Sequence, residues 1–474
     1  MINIALNSNW LKEQSKESKD VIAIKTSTEE ITYSELEFFV DSSTKFFSDK
    51  VRPYKYFLVS LENSIEFVLT ILSLWNIGII PVITAPDLKT NELEEILKPF
   101  RRNIKITSKD EILHTIKKAQ NLSKQEIKRK YDNKIYKNKN AIVLFTSGTV
   151  GIPKAVLISF ENLFYSAIGI DSIINTQKKD LWFASLPFCH VGGFSIITRS
   201  LLSGSTLCIP ESLKTEHLFS SIQKFDPNYI SLVPTQITNI LEKDVLPNKN
   251  LKRIFIGGSK LNSNLANKLI EIKLPTTIVY GSTETCSMIT AISDNEILNH
   301  PDSVGKPLLN TEIKFLDSNG NEVKPNKEGL LFLNGPTIAV GYLQKKLQNF
   351  DGKHLTKDFG YKDNENYIYI VGRSDGIIIS GGKKIDPSEI EKLLLENINI
   401  NDCAVVGVED NIWGEKVVAL VVKKQKSTIT QNEIFKFLRT KLPGYKIPKK
   451  IIFVETIPRN YLGKKDIKAI LSLI

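Results

Sequence analysis

Thr146, Ser147, Gly148, Thr149, Gly151 and Lys154 crowd into one short loop directly after the apolar run 141–144. These residue types suit a phosphate. Glycines let the backbone come close, amide N–H groups and hydroxyls donate hydrogen bonds, and the lysine adds a full charge. A Walker A loop needs Gly directly before its Lys and Ser or Thr directly after it. Here Pro153 precedes Lys154 and Ala155 follows. The chemistry to expect is nucleotide handling of another kind, the alternative for such a loop in isolation being a solvated turn.

The order T-S-G-T-x-G-x-P-K over 146–154 resembles the phosphate loop of the acyl-adenylate-forming superfamily: acyl-CoA synthetases, adenylation domains of peptide synthetases and firefly-type luciferases. Five further segments resemble that superfamily in the same order and span most of the chain. In 186–193, His190 matches a histidine between acyl pocket and nucleotide, with Gly192 and Gly193 beside it. Gly257, Gly258 and Ser259 resemble the segment lining the adenine. The run 280–285 resembles Y-G-x-T-E: Tyr280 would stack on adenine beside Gly281, Thr283 would bond the α-phosphate, and Glu284 is an oxygen ligand suited to Mg²⁺. Asp358 would take the ribose hydroxyls and Arg373 would contact the ribose, with Asp375 matching the hinge. Lys357 stands where the family usually has Gly, a residue that would permit a positive φ. Lys464, in Pro458-Arg459…Gly463-Lys464, corresponds to the catalytic lysine. Each segment alone has a plainer reading as a tight turn, a core histidine or a charged surface residue.

The resemblance implies a two-step ligase using ATP, Mg²⁺ and coenzyme A. A carboxylate attacks the α-phosphorus and expels pyrophosphate, and a thiol then captures the acyl group. Lys464, His190, Thr283 and Glu284 would be the catalytic set. Gly381 and Gly382 would line the thiol's approach after the small domain swings. The chain stops soon after Lys464 with no carrier module in view, which favours free CoA. Two segments, 190–199 and 303–308, resemble o-succinylbenzoate–CoA ligases of menaquinone and phylloquinone synthesis. Their substrate carries a second carboxylate that needs a cation, and Arg199 is the candidate, since arginine pairs carboxylates in bidentate fashion. An arginine on a surface helix is the competing reading. Another short acyl- or aryl-CoA ligase, or a non-catalytic binding protein of the same fold, stand as alternatives.

These residues need a scaffold. Strand-like runs at 56–61, 79–83, 181–186, 229–233, 253–256 and 277–280 alternate with helix-like runs at 64–77, 91–100, 216–224 and 263–273. That alternation predicts an α/β fold with parallel-rich sheets. After about residue 305, strands at 312–316 and 329–334, then 360–361 and 367–371, predict a small antiparallel section. From 386 onward a helix start at Asp386-Pro387, strands at 404–408, 416–422 and 451–455, and a helix at 433–442 predict an α+β module. The expected organisation is a large N-terminal domain over 1–371, a hinge over 372–376 and a mobile C-terminal domain over 377–474.

The chain has 474 residues, enough at roughly 150 per domain for a large domain and a small one. Its net charge of +11 is spread along the sequence, and the densest basic stretch, 124–139, matches no nucleic-acid motif, so a small-molecule acid is the expected partner and nucleic acid is not. A homo-oligomer is compatible with the sequence. Four cysteines without a C-x-x-C pair point away from zinc or a disulfide framework and toward a reducing, cytoplasmic setting. Residues 1–12 do not read as a secretory signal, and the apolar run 77–83 is too short to span a bilayer.

Overall fold

The computed structural model describes residues 2–51, 53–88, 90–100, 102–122, 139–146, 153–243, 250–261, 263–343, 347–374, 376, 378–380, 383–410, 413–459 and 465–474. They divide into two compact units. The first runs up to Ile313 and takes in Leu333–His354, and the second holds Lys314–Phe332 and Leu355–Ile474.

Among the described residues, the first unit contains a nine-stranded and a seven-stranded sheet. The centre of the larger one is, in spatial order, Thr276–Ser282, Arg253–Ile256, Tyr229–Leu232, Leu181–Phe183, Thr206–Cys208 and Ile22–Lys25. All five neighbouring pairs in that series are parallel. Tyr229–Leu232 is buried along its whole length, as a strand covered on both faces must be. Ser287–Ser293 adds antiparallel to Thr276–Ser282.

The smaller sheet mixes directions. Ile80–Ile83, Tyr56–Val59 and Ile104–Lys105 pair in parallel, whereas Asn140–Phe145 and Ala155–Ser159 form an antiparallel hairpin. Gly341–Leu343 joins the outer side of that hairpin, with Tyr342 opposite Val156. The helix Ile65–Asn76 is apolar nearly all round and buried from Ile65 through Trp75 apart from Glu66, the pattern of a helix enclosed by neighbours rather than set on a surface. Ser64 caps it by accepting from Phe67 N.

The second unit contains the strands Glu312–Leu316, Gly329–Asn334, Lys353–Lys362 and Ile368–Arg373 in that spatial order, the ends of which extend past the boundaries given above. It also contains a sheet built on Ile400–Asp410 and Gly414–Lys423. Alternation explains its two cores. Val405, Val417, Ala419 and Val421 pack with residues of the helices Pro387–Glu396 and Gln431–Lys441. Ala404, Val406, Val418, Leu420 and Val422 pack on the opposite face with Ile457 and Ile470. Asp386 caps Pro387–Glu396 with Pro at its first turn, as the sequence predicts, its carboxylate accepting from Ser388 N at 2.9 Å.

The expected fold class is therefore observed: an α/β body rich in parallel strands, an antiparallel section and an α+β module. Element ends differ by a few residues. The 181–186 strand stops at Phe183, because Asn63 takes over the following backbone: its Nδ2 donates to Leu186 O at 2.9 Å and its Oδ1 accepts from Phe188 N at 2.8 Å. Among the described residues, no helix is long and apolar enough to cross a membrane.

Candidate active site

Three candidate segments leave the same edge of the larger sheet. His190 follows Leu181–Phe183, Gly257-Gly258-Ser259 follow Arg253–Ile256, and Thr283-Glu284 follow Thr276–Ser282. These strands belong to one parallel series, so their C-terminal ends lie together, where open α/β sheets bind ligands.

The turn carrying Glu284 is tightly specified. Thr285 Oγ1 accepts from Ser282 N at 2.7 Å and donates to Ser287 O at 2.8 Å. Cys286 and Ser287 both take positive φ, 53° and 91°, a conformation unfavourable for residues with a Cβ. Gly281 is required here: a Cβ on it would sit 1.7 Å from Ser287 O. The strain at Ser287 directs its hydroxyl toward the Val191–Ser203 helix, where it receives hydrogen bonds from Ser195 Oγ (3.3 Å) and Arg199 Nη2 (3.2 Å).

Arg199 lies on that helix and is 3% exposed, which rules out the surface-helix reading. Its guanidinium carbon lies 5.6 Å from the Trp182 ring. Among the described residues, its Nε and Nη1 have no hydrogen-bond partner. Burial pushes its pKa down to about 10, so the group remains a cation at neutral pH. A buried cation with two unused donors is costly to hold and suits an anionic ligand.

His190 occupies the N-cap position of the same helix without a side-chain cap bond, its Nε2 3.6 Å from Cys189 Sγ. Burial pushes the Cys189 thiol up to about 12, so it remains protonated beside the imidazole. Gly192 and Gly193 form the first turn. A Cβ at Gly193 would lie 2.1 Å from Pro187 O, so only glycine lets the loop fold back and present His190.

The two ends of the 146–154 loop are held by each other. Thr146 N donates to Lys154 O at 3.0 Å, and Lys154 N donates to Thr146 Oγ1 at 3.2 Å. Lys154 Nζ rests 4.5 Å from the centroid of the Tyr342 ring. The Tyr342 hydroxyl donates to Glu284 Oε1 at 2.7 Å, and Ala339 N donates to Glu284 O at 2.8 Å. Lys154 and Glu284, one from each sheet, thus meet a common tyrosine. Tyr280 sits on Thr276–Ser282 opposite Thr290, just before the bulge at Gly281.

In the second unit, Asp358 and Arg373 face each other across an antiparallel pair, with Nη1–Oδ1 at 2.9 Å. Lys357 lies within Lys353–Lys362 and is absent from the positive-φ residues, so the position usually given to glycine is ordinary extended backbone here. Its carbonyl accepts from Ser374 N at 2.7 Å. Ser147, Gly148, Thr149, Gly151, Asp375, Gly381, Gly382 and Lys464 lie outside the described residues. Tyr342 and Ser287 were not legible as site residues. Tyr342 reaches Lys154 and Glu284 through a strand pairing distant in sequence, and Ser287 meets Arg199 across a long stretch of chain, which no local pattern signals.

Among the described residues, no three His, Cys, Asp or Glu side chains cluster as a metal cage. A magnesium ion delivered on a nucleotide takes one or two carboxylates and completes its shell with phosphates and water. Glu284, held by Tyr342, is a donor of that kind.

Residues 11–343 match the AMP-binding enzyme family and residues 389–464 match the AMP-binding enzyme C-terminal domain. The chain is 30% identical over 468 residues, 95% of each chain, to a 2-succinylbenzoate–CoA ligase of Bacillus cereus. The o-succinylbenzoate CoA synthetase (MenE) of Bacillus subtilis, solved with the acyl-adenylate intermediate OSB-AMP, superposes with a TM-score of 0.87 at 25% identity, covering 98% of each chain. The same enzyme solved with ATP and magnesium ion gives 0.86 at 26% identity, covering 97% of this chain and 98% of that one. With both family matches in place, the chain belongs to the AMP-binding enzyme family.

Proposed function

We propose that this chain is an ATP-dependent acid–CoA ligase that forms o-succinylbenzoyl-CoA through an acyl-adenylate, in menaquinone or phylloquinone biosynthesis. The observation that carries the choice of acid is Arg199, a buried guanidinium with two donors unused among the described residues. A monocarboxylic substrate would leave that charge unanswered. A dicarboxylate supplies a counter-ion at one end and a reacting carboxylate at the other.

His190 and the Gly192-Gly193 turn border the acyl side. Gly257, Gly258, Ser259, Tyr280 and Gly281 take the adenine, and Asp358 and Arg373 take the ribose. Thr146, Ser147, Gly148, Thr149, Gly151 and Lys154 hold the phosphates. Thr283 bonds the α-phosphate, and Glu284 holds the magnesium ion, which neutralises phosphate charge when bound. The substrate carboxylate attacks the α-phosphorus in line with the departing pyrophosphate, and charge gathers on the phosphate oxygens. Lys154, Thr283 and Lys464 would meet that charge; removing one such contact costs roughly 3–4 kcal/mol of transition-state stabilisation. The adenylate then offers AMP as leaving group to the thiolate of CoA. Between the steps the domain 377–474 turns about 372–376, replacing Lys464 by the glycines Gly381 and Gly382. The substrate is a small soluble acid, no nucleic acid takes part, and the setting is the cytoplasm.

ATP–pyrophosphate exchange across a panel of carboxylic acids tests the reading. Exchange with 2-succinylbenzoate, followed by CoA-dependent release of AMP, is expected. Exchange with simple benzoates or fatty acids in its place would overturn it.

A further inference from the structure

Tyr342 touches both charged groups that the proposed reaction places around the triphosphate. Its hydroxyl donates to Glu284 Oε1 at 2.7 Å, and its ring face receives the Lys154 ammonium at 4.5 Å. The arrangement is built rather than incidental. Gly341–Leu343 pairs antiparallel with Ala155–Ser159, placing Tyr342 opposite Val156 and within reach of Lys154. The preceding backbone is anchored to the same glutamate through Ala339 N and Glu284 O at 2.8 Å. The ring is buried, with Phe350 edge-on at 5.0 Å and His354 at 6.4 Å, and Phe350 stacks on His354 at 4.4 Å.

We propose that Tyr342 is a positioning residue that sets the Glu284 carboxylate for the metal and the Lys154 ammonium for the phosphates. The proposal rests on the reading of Glu284 and Lys154 given above. A carboxylate with one oxygen held by a phenol loses rotational freedom and presents its remaining lone pairs in a fixed direction. An ammonium over a ring face keeps its charge and donors while its flexible stem is restrained. The hydroxyl serves the metal-binding group and the ring serves the phosphate-binding group, so the two contributions separate by substitution.

The experiment is equilibrium binding of ATP to the full chain, titrated with MgCl₂ and repeated in EDTA. For Tyr342→Phe, which keeps the ring and its packing, we expect the Mg²⁺ concentration giving half-maximal enhancement of ATP binding to rise on the order of tenfold, with affinity in EDTA unchanged. For Tyr342→Leu we expect affinity in EDTA to fall as well. Should Tyr342→Leu fail to fold, the Phe variant still decides the metal arm. An unchanged Mg²⁺ requirement in Tyr342→Phe, alongside a raised one in Glu284→Gln, would overturn the role of Tyr342 alone. An unchanged requirement in Glu284→Gln would overturn the metal role of Glu284 and this inference with it.

Discussion

Arg199 Nη2 donates to Ser287 Oγ at 3.2 Å, so the buried guanidinium is tied to the same turn that carries Glu284. Two of its nitrogens have no partner among the described residues, and the ligand-free fold bears the expense of that burial. Arg199→Met should therefore raise stability by about 1–3 kcal/mol while raising the KM for 2-succinylbenzoate on the order of 10²-fold. Thermal unfolding and Michaelis kinetics on one preparation check both signs. A lower melting temperature with unchanged KM would make Arg199 a structural residue.

Asp358 and Arg373 pair at 2.9 Å, but the arginine side chain is 47% exposed and the aspartate 11%. Such an ion pair adds only about 0–1 kcal/mol to folding. Arg373→Ala should leave the denaturation midpoint nearly unchanged. Asp358→Ala should abolish discrimination between ATP and 2′-deoxy-ATP, because the ribose hydroxyls lose their acceptor. Competition binding with the two nucleotides reads this directly, and retained discrimination would remove Asp358 from the ribose site.

The parts of this molecule legible in the sequence are those written in adjacent residues. Apolar runs such as Tyr229–Leu232 declare a strand buried on both faces, and Asp386-Pro387 declares a helix start. The strand leading into the Glu284 turn and part of the strands carrying Asp358 and Arg373 are legible because each run is continuous. Tyr342 and Ser287 are not: Tyr342 reaches its place opposite Val156 through a pairing nearly two hundred residues away, and Ser287 acquires its partner Arg199 only when the distant Val191–Ser203 helix packs against its turn. The early end of the strand at Phe183 is equally hidden, since the Asn63 side chain that replaces the ladder comes from a distant segment. The burial of Arg199 follows from the helix Val191–Ser203 being covered on nearly every side, a tertiary fact that its local pattern leaves open.

Gly281 offers a test of the turn itself. A Cβ there would meet Ser287 O at 1.7 Å, backbone against backbone, with no flexible side chain to give way. Gly281→Ala should destabilise the fold by roughly 1–3 kcal/mol or more and displace Ser287 from Arg199. The displacement should show as a raised KM for 2-succinylbenzoate beyond that for ATP. Wild-type stability and kinetics in this variant would mean that the bulge at Gly281 relaxes freely.

The cysteines set the alkaline limit. Burial pushes Cys189, Cys208 and Cys286 up to about 12 from 9.0, and pushes Cys403 up as well. The unfolded chain releases these protons above about pH 9, while the folded chain keeps them. Fewer protons are then bound by the unfolded state, so stability present below pH 9 is lost as pH rises toward 12. The loss is up to about 1.4 kcal/mol per pH unit for each thiol. Tyr33 and Tyr229, also pushed up by burial, add to the fall above their ordinary range near 10.0. Urea midpoints at pH 8 and pH 10 should differ accordingly, and replacing Cys208 by Ala should flatten the difference. At pH 8 a thiol reagent should find no fast-reacting cysteine until urea unfolds the chain. Rapid labelling of the native protein would show that these thiols are reachable and ionise in the usual range.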